Sequence, residues 1–198
     1  TYPAKSRERR SGQSALYILL MGMVRLIAPI LSFTAEEVWH HLPKNSVDEE
    51  SVHMSQFPDP ENVSFDEDLV KKWEFLVELK GEVSKALETS RRDKVIGHSL
   101  DSIVKLELPE KYKDIIKSFE GELKYLFIVS RVDLVDSLGA EGKIFESDSL
   151  QGVKVFSEMH PGKKCERCWH YFEPDVKEGK ANGEICSRCE DHLQTAGA

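Results

Sequence analysis

Residues 165–189 read Cys-Glu-Arg-Cys-Trp-His-Tyr-Phe-Glu-Pro-Asp-Val-Lys-Glu-Gly-Lys-Ala-Asn-Gly-Glu-Ile-Cys-Ser-Arg-Cys and contain all four cysteines of the 198-residue chain. The spacing Cys-x2-Cys-x17-Cys-x2-Cys is typical of paired zinc knuckles, in which each Cys-x-x-Cys turn offers two sulfur atoms to one tetrahedral ion. Two disulfides are the rival interpretation, but nothing else indicates secretion, and a redox dithiol needs only one such pair. The sequence therefore predicts one structural Zn²⁺ bound by Cys165, Cys168, Cys186 and Cys189.

The predicted ion holds structure and activates no water, because four thiolates leave no open coordination position. Residues 157–198 contain few large apolar side chains, and segments of about 40 residues seldom fold by burial alone. We therefore expect a C-terminal zinc ribbon or finger over residues 157–198 that unfolds without its metal. His160, His170 and His192 are not expected to be ligands, since four cysteines complete the set.

Upstream of the cysteines, residues 1–95 have the pattern of an all-α helical bundle. Apolar residues spaced three and four apart predict a helix over residues 11–31 that Pro29 kinks or ends. Thr34 and Glu37 form a predicted capping box, bracketed by a staple of Phe33 and Val38, which starts a second helix at Ala35 that ends near Leu42. A third, long helix over residues 66–92 is predicted to pack on the first two, with cations in its last turn and a break near Gly97.

Residues 96–156 predict a small α/β junction domain. The run Ile103–Leu108 alternates in part and is closed by Pro109, as a strand would be. A helix is expected over residues 111–124, and β-like runs follow at 126–135 and 153–156, separated by a polar loop at 137–149. The whole chain is thus predicted to be multidomain, with domains at 1–95, 96–156 and 157–198.

The charge of −8 is unevenly distributed along the chain. Residues 44–68 alone carry a net charge of −7 and include Phe57-Pro58-Asp59-Pro60, so we interpret them as a long, solvent-facing connection. Basic clusters lie at residues 5–10 (net +3), 91–94 (net +2) and 163–167 (net +2). Each cluster is explained either by ordinary solvated surface or by pairing with the phosphates of a nucleic acid.

No membrane segment is expected, because the longest nearly uncharged run, residues 12–31, is interrupted by Arg25 and Pro29. The chain begins Thr1-Tyr2-Pro3 without an initiator methionine and leads into a helical pattern. We interpret this start as a cut made within a longer chain.

Several segments together resemble the C-terminal region of bacterial isoleucyl-tRNA synthetases. They are Leu26-Ile27-Ala28-Pro29-Ile30-Leu31-Ser32-Phe33-Thr34-Ala35-Glu36-Glu37-Val38-Trp39, Lys85-Ala86-Leu87-Glu88, Ile96-Gly97-His98-Ser99-Leu100, Cys165-Glu166-Arg167-Cys168-Trp169 and Ile185-Cys186-Ser187-Arg188-Cys189. The cysteine segments also resemble a zinc finger of formamidopyrimidine-type DNA glycosylases. The first segment is less specific, because valyl and leucyl synthetases have similar helices.

The resemblance implies an anticodon-binding helical domain, a junction domain and a zinc finger that together grip the anticodon stem-loop of isoleucine tRNA. It implies a monomeric cytoplasmic protein whose catalytic and editing domains belong to the same parent chain. Motifs of the His-Ile-Gly-His and Lys-Met-Ser-Lys-Ser types are absent here. We therefore expect no aminoacyl-adenylate formation, no editing, and no binding of the parent enzyme's ATP and Mg²⁺.

The residues predicted to contact RNA are chosen by their positive charge alone. They are Arg9, Arg10, Arg91, Arg92, Lys94, Lys163, Lys164 and Arg167. Trp169 is a candidate for stacking on a base, and packing on the zinc knuckle is its alternative role. Two other functions stay open. One is a DNA glycosylase, disfavoured because those enzymes begin Pro-Glu whereas this chain begins Thr1-Tyr2-Pro3-Ala4. The other is a zinc-ribbon module that binds a nucleic acid or a protein partner.

Overall fold

The structure is a computed structural model that describes residues 2, 5–43, 49–59, 66–139, 142–173 and 184–196, the side chains of 195 and 196 excepted. The chain divides into two compact units, one formed by residues 1–65 and 192–198 and the other by residues 66–191. The domain boundaries at 95 and 156 inferred from sequence stay predictions. Each unit is described by itself below.

In the first unit, helix α1 (Arg7–Ile27) starts four residues earlier than the apolar pattern predicts. Its N-cap is Ser6, whose hydroxyl accepts the backbone N–H of Arg9 at 3.2 Å. The helix ends before Pro29, as predicted, and the N–H groups of Ile30 and Leu31 both bond to the carbonyl of Ile27. Side-chain capping therefore overrides the weak apolar signal at the start of this helix.

Helix α2 (Ser32–His40) does not begin with the predicted capping box. Its N-cap is Leu31, which makes no side-chain cap hydrogen bond, and Thr34 lies inside the first turn. Phe33 is 93% exposed, so the predicted staple is also wrong. The reason is that the turn at Pro29 passes directly into α2, where the N–H of Ala35 already bonds to the carbonyl of Leu31.

A small core holds this unit together. It consists of Val24, Ala28, Ala35, Trp39, Leu42 and Val52, and the indole N–H of Trp39 donates to the carbonyl of Glu49 at 3.0 Å. The carboxylate of Glu36 accepts the hydroxyl of Ser51 and the N–H of Val52. Part of the predicted solvent-facing connection therefore packs on this core and forms a 3-10 turn at Val52–Met54. Residues 44–48 and 60–65 of the same connection lie outside the described residues.

In the second unit, helix α3 (Glu67–Arg92) has the predicted extent. The side chain of Asp66 caps it by accepting the N–H of Leu69 at 3.0 Å, and Arg91 and Arg92 occupy its last turn. Its buried side chains, among them Leu76, Leu79 and Val83, belong to a core shared with the sheet of this unit. Helical periodicity identified the buried face, but the sequence did not reveal that a sheet covers it.

The sheet contains β1 (Ser102–Glu107), β2 (Arg131–Val135), β3 (Phe145–Glu146) and β4 (Lys154–Met159), in the order β2-β1-β4-β3. Strand β1 pairs in parallel with β2 and antiparallel with β4, and β3 pairs antiparallel with β4. The strand predicted at residues 103–108 is confirmed. The predicted loop at 137–149 is wrong in part, because the two residues of β3 are too few to produce a periodic signal.

Between β1 and β2, the single predicted helix is two helices, α4 (Glu110–Ser118) and α5 (Leu123–Phe127), joined by a 3-10 turn at Glu120–Glu122. Helix α5 ends at Ile128, which has a left-handed φ of 58°. The β-like run predicted from residue 126 therefore begins only at Arg131. Leu123, Phe127 and Val129 are buried in the same core as α3, so tertiary packing decides this segment.

One buried carboxylate of α3 gives a testable pH dependence. Glu82 is 3% exposed, and the ammonium of Lys85 lies 2.6 Å from its carboxylate. The hydrogen bond from Lys85 lowers the pKa of Glu82 from 4.5, and it outweighs the burial that raises the pKa. A folded-state pKa below the unfolded value means that this stability is present above about pH 4.5 and is lost as the pH falls through the folded pKa.

We therefore expect wild-type protein to lose urea resistance between pH 5 and pH 3.5 more steeply than Glu82→Gln. The matched control is Glu88→Gln, which removes the exposed partner of Arg91 on the same helix and spacing. Urea midpoints of the three proteins at both pH values measure the effect. Equal slopes in all three would contradict this role of Glu82.

No helix of the described chain is both long enough and apolar enough to cross a membrane.

Candidate zinc centre and RNA-binding surface

The first cysteine pair lies in the loop of a short hairpin. Strands β5 (Lys163–Lys164) and β6 (Tyr171–Phe172) pair antiparallel, with Lys163 opposite Phe172 and Lys164 opposite Tyr171. The N–H of Cys165 donates to the carbonyl of His170, and the N–H of Trp169 donates to the carbonyl of Cys165, both at 2.9 Å. This knuckle requires a φ of 65° at Trp169, a left-handed conformation that is rare for a bulky residue.

The second pair lies at the beginning of helix α6 (Ser187–Ala196). The N–H groups of Cys189 and Glu190 bond to the carbonyl of Cys186 at 2.9 and 3.1 Å. The sequence predicted two knuckles but not this helix. Because the helix starts between the two cysteines, its first turn fixes both sulfur atoms on one side.

The four sulfur atoms converge on one point. Within the described residues, the Sγ atoms of Cys165, Cys168, Cys186 and Cys189 all lie within 4.8 Å of one another. The Sγ atoms of Cys168 and Cys186 are 3.7 Å apart, and a tetrahedral site with Zn–S bonds of about 2.3 Å has edges of about 3.8 Å. The arrangement therefore fits one zinc ion with four sulfur ligands.

The four thiols differ in pKa, and these differences show why a bound cation is needed for all four to ionise. Burial would raise the pKa of the Cys165 thiol, but hydrogen bonds from the N–H groups of Cys168 and Cys186 lower it to about 6. Burial and the neighbouring Cys189 and Cys168 sulfurs raise the pKa of Cys186 to about 12. Sulfurs this close cannot all ionise unless a cation lies among them, and a divalent metal provides that charge.

The two histidines nearest to the cysteines have other partners. The ring Nδ1 of His170 lies 3.1 Å from the carbonyl of Cys168. The ring Nδ1 of His160 accepts the N–H of Gly162 at 3.0 Å, and burial lowers the pKa of this imidazole. Both rings therefore support the hairpin rather than extend the ligand set.

Two contacts fasten the finger to the rest of the second unit. The hydroxyl of Ser130, a buried residue immediately before β2, donates to the carbonyl of Leu100 and accepts the N–H of Tyr171 at 2.6 Å. On the other side, the guanidinium of Arg188 in α6 donates to the hydroxyl of Tyr125 in α5. The hydrogen-bonding tyrosine and the nearby Cys168 sulfur raise the pKa of Arg188, although burial opposes this effect.

Ser130→Ala is expected to loosen the hairpin without removing the metal. The substitution leaves the N–H of Tyr171 without its partner, which costs about 1–3 kcal/mol. Hydrogen exchange should become faster at residues 163–172, while the zinc content stays unchanged. Ser118→Ala, which removes an exposed hydroxyl bonded to the carbonyl of Ile115, is the control, and equal exchange in both variants would contradict the tether.

The finger also carries four of the nine predicted RNA-contacting side chains. Lys163, Lys164 and Arg167 are exposed. The indole of Trp169 is 62% exposed instead of packed on the knuckle, and the ammonium of Lys164 lies 5.9 Å from its ring. The structure thus brings an exposed aromatic ring and three cations together on one small hairpin.

The remaining candidates lie elsewhere. Arg91, Arg92 and Lys94 are exposed at the end of α3, where Arg91 pairs with Glu88 at 2.8 Å and Arg92 lies 3.4 Å from the hydroxyl of Thr89. Lys94, and not Gly97, takes the left-handed conformation after the helix, with a φ of 59°. Arg9 and Arg10 belong to the first unit, in the exposed first turns of α1. As RNA contacts, all five remain predictions.

Sequence reasoning missed a polar cavity of about 420 Å³ beside the finger. Its lining comes from the 3-10 turn after α4, the start of β2 and strand β6, segments that are far apart in the sequence. Sequence reasoning placed Arg188 only beside the charge of the zinc centre and missed its hydrogen bond to the hydroxyl of Tyr125. No spacing rule could have joined these segments, because the fold alone brings them together.

Comparison with known proteins supports this site. The family model described as "anticodon-binding domain of tRNA ligase" matches residues 2–120, and the model described as "zinc finger found in FPG and IleRS" matches residues 162–191. The second match contains all four cysteines. Together the two models cover α1 to α4, the first strand and the metal centre.

The chain is also similar to bacterial isoleucine--tRNA ligases. It is 44% identical to that of Geobacter sulfurreducens over 182 residues, which are 92% of this chain and 19% of the relative. It is 41% identical to that of Thermoanaerobacter sp. strain X514 over 196 residues (98% and 21%), and 40% identical to that of Staphylococcus epidermidis over 192 residues (96% and 20%). The chain thus spans about a fifth of the length of these relatives.

These matches confirm the resemblance to isoleucyl-tRNA synthetases and the structural zinc site that the cysteine spacing predicts. Because the first model covers more than half of the chain, this protein belongs to the family of anticodon-binding domains of tRNA ligases, in a form that carries the zinc finger found in FPG and IleRS.

Proposed function

We propose that this chain binds the anticodon stem-loop of isoleucine tRNA and thereby supports isoleucylation by catalytic domains that it does not itself contain. The observation that carries the proposal is the exposed Trp169, which lies beside Lys164 on a zinc-stabilised hairpin in a chain of the anticodon-binding family. An exposed indole next to cations is suited to an unstacked base and its phosphates.

Lys163, Lys164 and Arg167 act in this proposal by pairing with phosphates, since their ammonium and guanidinium groups are exposed. Arg91, Arg92 and Lys94 extend the contact along the end of α3, and Arg9 and Arg10 contribute from α1. Arg91 already pairs with Glu88, so we expect it to contribute less than Lys163 or Lys164. The cysteines contribute indirectly, because zinc holds the hairpin in shape.

The chain spans only about a fifth of the isoleucine--tRNA ligases that it matches, and we propose that it neither activates isoleucine nor edits valine by itself. The domains expected at 1–95, 96–156 and 157–198, the monomeric state and a cytoplasmic location belong to the same proposal. Size-exclusion chromatography with light scattering tests the monomer.

The proposal is tested by fluorescence anisotropy with two labelled RNAs, the anticodon stem-loop of isoleucine tRNA and the same stem-loop with another anticodon. We expect tighter binding to the first, and affinity that falls as salt rises. In parallel, ATP–pyrophosphate exchange with isoleucine should be undetectable. Equal binding to both stem-loops would contradict anticodon recognition, and measurable exchange would contradict the non-catalytic role.

Lys163→Glu combined with Lys164→Glu is expected to weaken RNA binding and to make it less sensitive to salt. Each lost phosphate contact reduces the slope of log K against log[salt] by about 0.7–0.9, so the slope should fall by roughly 1.4–1.8. Lys111→Glu combined with Lys117→Glu on α4 matches the charge change at two other exposed lysines. An equal change in slope for both double variants would exclude a specific role of the hairpin.

A further inference from the structure

The cavity beside the finger is large enough for a nucleotide base. Its volume of about 420 Å³ falls within the range of about 300–1,000 Å³ that is usual for small-ligand sites. All of its lining residues belong to the second unit. It opens between the 3-10 turn Glu120–Glu122, the first residues of the edge strand β2, and strand β6 of the zinc hairpin.

One wall of the cavity is aromatic. The rings of His160 and Tyr171 lie with their centroids 5.8 Å apart, and both residues line the cavity. His160 is 5% exposed, and its Nδ1 accepts the N–H of Gly162, so the ring is neutral with its proton on Nε2. A neutral imidazole that a backbone N–H holds beside the ring of Tyr171 suits the face of a base.

The charges in the cavity are arranged for amino groups and against phosphates. The guanidinium of Arg131 lies 2.8 Å from the carboxylate of Asp133 and 3.5 Å from that of Glu173, so this cation is already neutralised. With Glu120, the lining contains three carboxylates against two cations, Arg131 and Lys124. The ammonium of Lys124 lies 5.2 Å from the ring centroid of Tyr125. Carboxylates accept hydrogen bonds from exocyclic amino groups and repel phosphate. We therefore expect the phosphates to bind Lys163 and Lys164 of strand β5, which pairs with β6.

We propose that this cavity receives one unstacked RNA base that bears an exocyclic amino group, stacked beside Tyr171 and hydrogen-bonded to the carboxylates at the cavity rim. The inference rests on the proposed function, since it assigns a base pocket to the same RNA-binding surface. It predicts a preference for cytosine over uracil in single strands, because the two bases differ chiefly in an amino group against a carbonyl at one position.

Gly121 is a position at which a side chain can be added to the cavity lining. It lines the cavity, its φ is not left-handed, and a Cβ added there meets no atom within 4 Å. Gly121→Leu therefore adds an apolar side chain to the cavity lining and removes no charged group and no hydrogen-bonding side chain. Gly81→Leu on α3 is the matched control, because a Cβ at this exposed glycine also meets nothing within 4 Å.

The experiment measures the anisotropy of labelled octacytidine, octauridine and the isoleucine anticodon stem-loop with wild-type protein and both variants, over a range of salt concentrations. We expect wild type and Gly81→Leu to prefer octacytidine. Gly121→Leu should lose this preference and bind the stem-loop about tenfold more weakly, within the range for loss of one stacked base. Its salt slope should equal that of wild type, because no phosphate contact changes.

The outcomes separate this inference from the proposed function. If Gly121→Leu binds the stem-loop as tightly as wild type, or if wild type does not distinguish octacytidine from octauridine, the base pocket is overturned while RNA binding stands. If wild type binds none of the three RNAs, the proposed function fails, and the pocket fails with it. A lower salt slope in Gly121→Leu would assign the cavity to phosphate and would also overturn the inference.

Discussion

Cys186→Ser is expected to release the zinc and to unfold the finger while the rest of the second unit stays folded. Zinc contributes on the order of 10–16 kcal/mol to comparable peptides, and three remaining thiolates bind it far more weakly than four. The sheet core extends from Leu76 to Val155 and contains no residue of the finger. The finger therefore depends on its metal, whereas the sheet does not.

Metal analysis after dialysis against a chelator should give one zinc per chain for wild type and none for Cys186→Ser. Hydrogen exchange should become fast at residues 162–173 and 184–191 and remain slow at β1. Ser187→Ala, a change at the adjacent non-ligand position, is the control and should retain its zinc. Loss of protection at β1 in Cys186→Ser would mean that finger and sheet unfold as one cooperative unit.

Trp169→Gly is expected to abolish much of the RNA affinity without lowering the stability of the finger. Loss of one stacked aromatic ring costs about 1–3 kcal/mol in single-strand binding, which corresponds to roughly fivefold to more than a hundredfold in affinity. At the same time, glycine adopts the left-handed φ of 65° at this position without the strain imposed by a Cβ. Affinity and stability should therefore change independently.

Trp169→Phe is the companion variant, because it keeps an aromatic face and should restore most of the affinity. The measurements are stem-loop anisotropy and the zinc affinity of each variant in a competition with a chelator. If Trp169→Gly lost zinc more readily than wild type, the indole would be a packing element of the knuckle. That result would contradict base stacking as its main role.

The sequence predicted the features that depend on local spacing. Four cysteines at a known spacing identified the metal centre, and Asp66 with the apolar positions after it predicted α3 almost to the residue. The strand at Ile103 was predicted from its partly alternating apolar residues and from Pro109 after them, and four of the six residues of β1 are buried. In each case the signal lies within one turn, one strand or one motif.

The features that the sequence did not predict correctly depend on contacts between residues that are distant in the sequence. The capping box at Thr34 satisfied its motif, but the turn after Pro29 had already provided the backbone hydrogen bonds that a cap would make. The packing of α3 on the sheet, the tether at Ser130 and the cavity at Gly121 each join segments separated by tens of residues. No local pattern specifies such contacts, and only the assembled fold reveals them.

The strand order has a consequence for how the protein is made. Strand β1 pairs with both β2 and β4. Residues 102–107 therefore gain their second neighbouring strand only after residues 154–159 have been synthesised. Because chains are synthesised from the N-terminus, the cysteine segment leaves the ribosome just after this closure becomes possible. Long-range pairing of this kind folds slowly. The segment that completes the sheet and the cysteines that bind the metal are therefore synthesised one directly after the other.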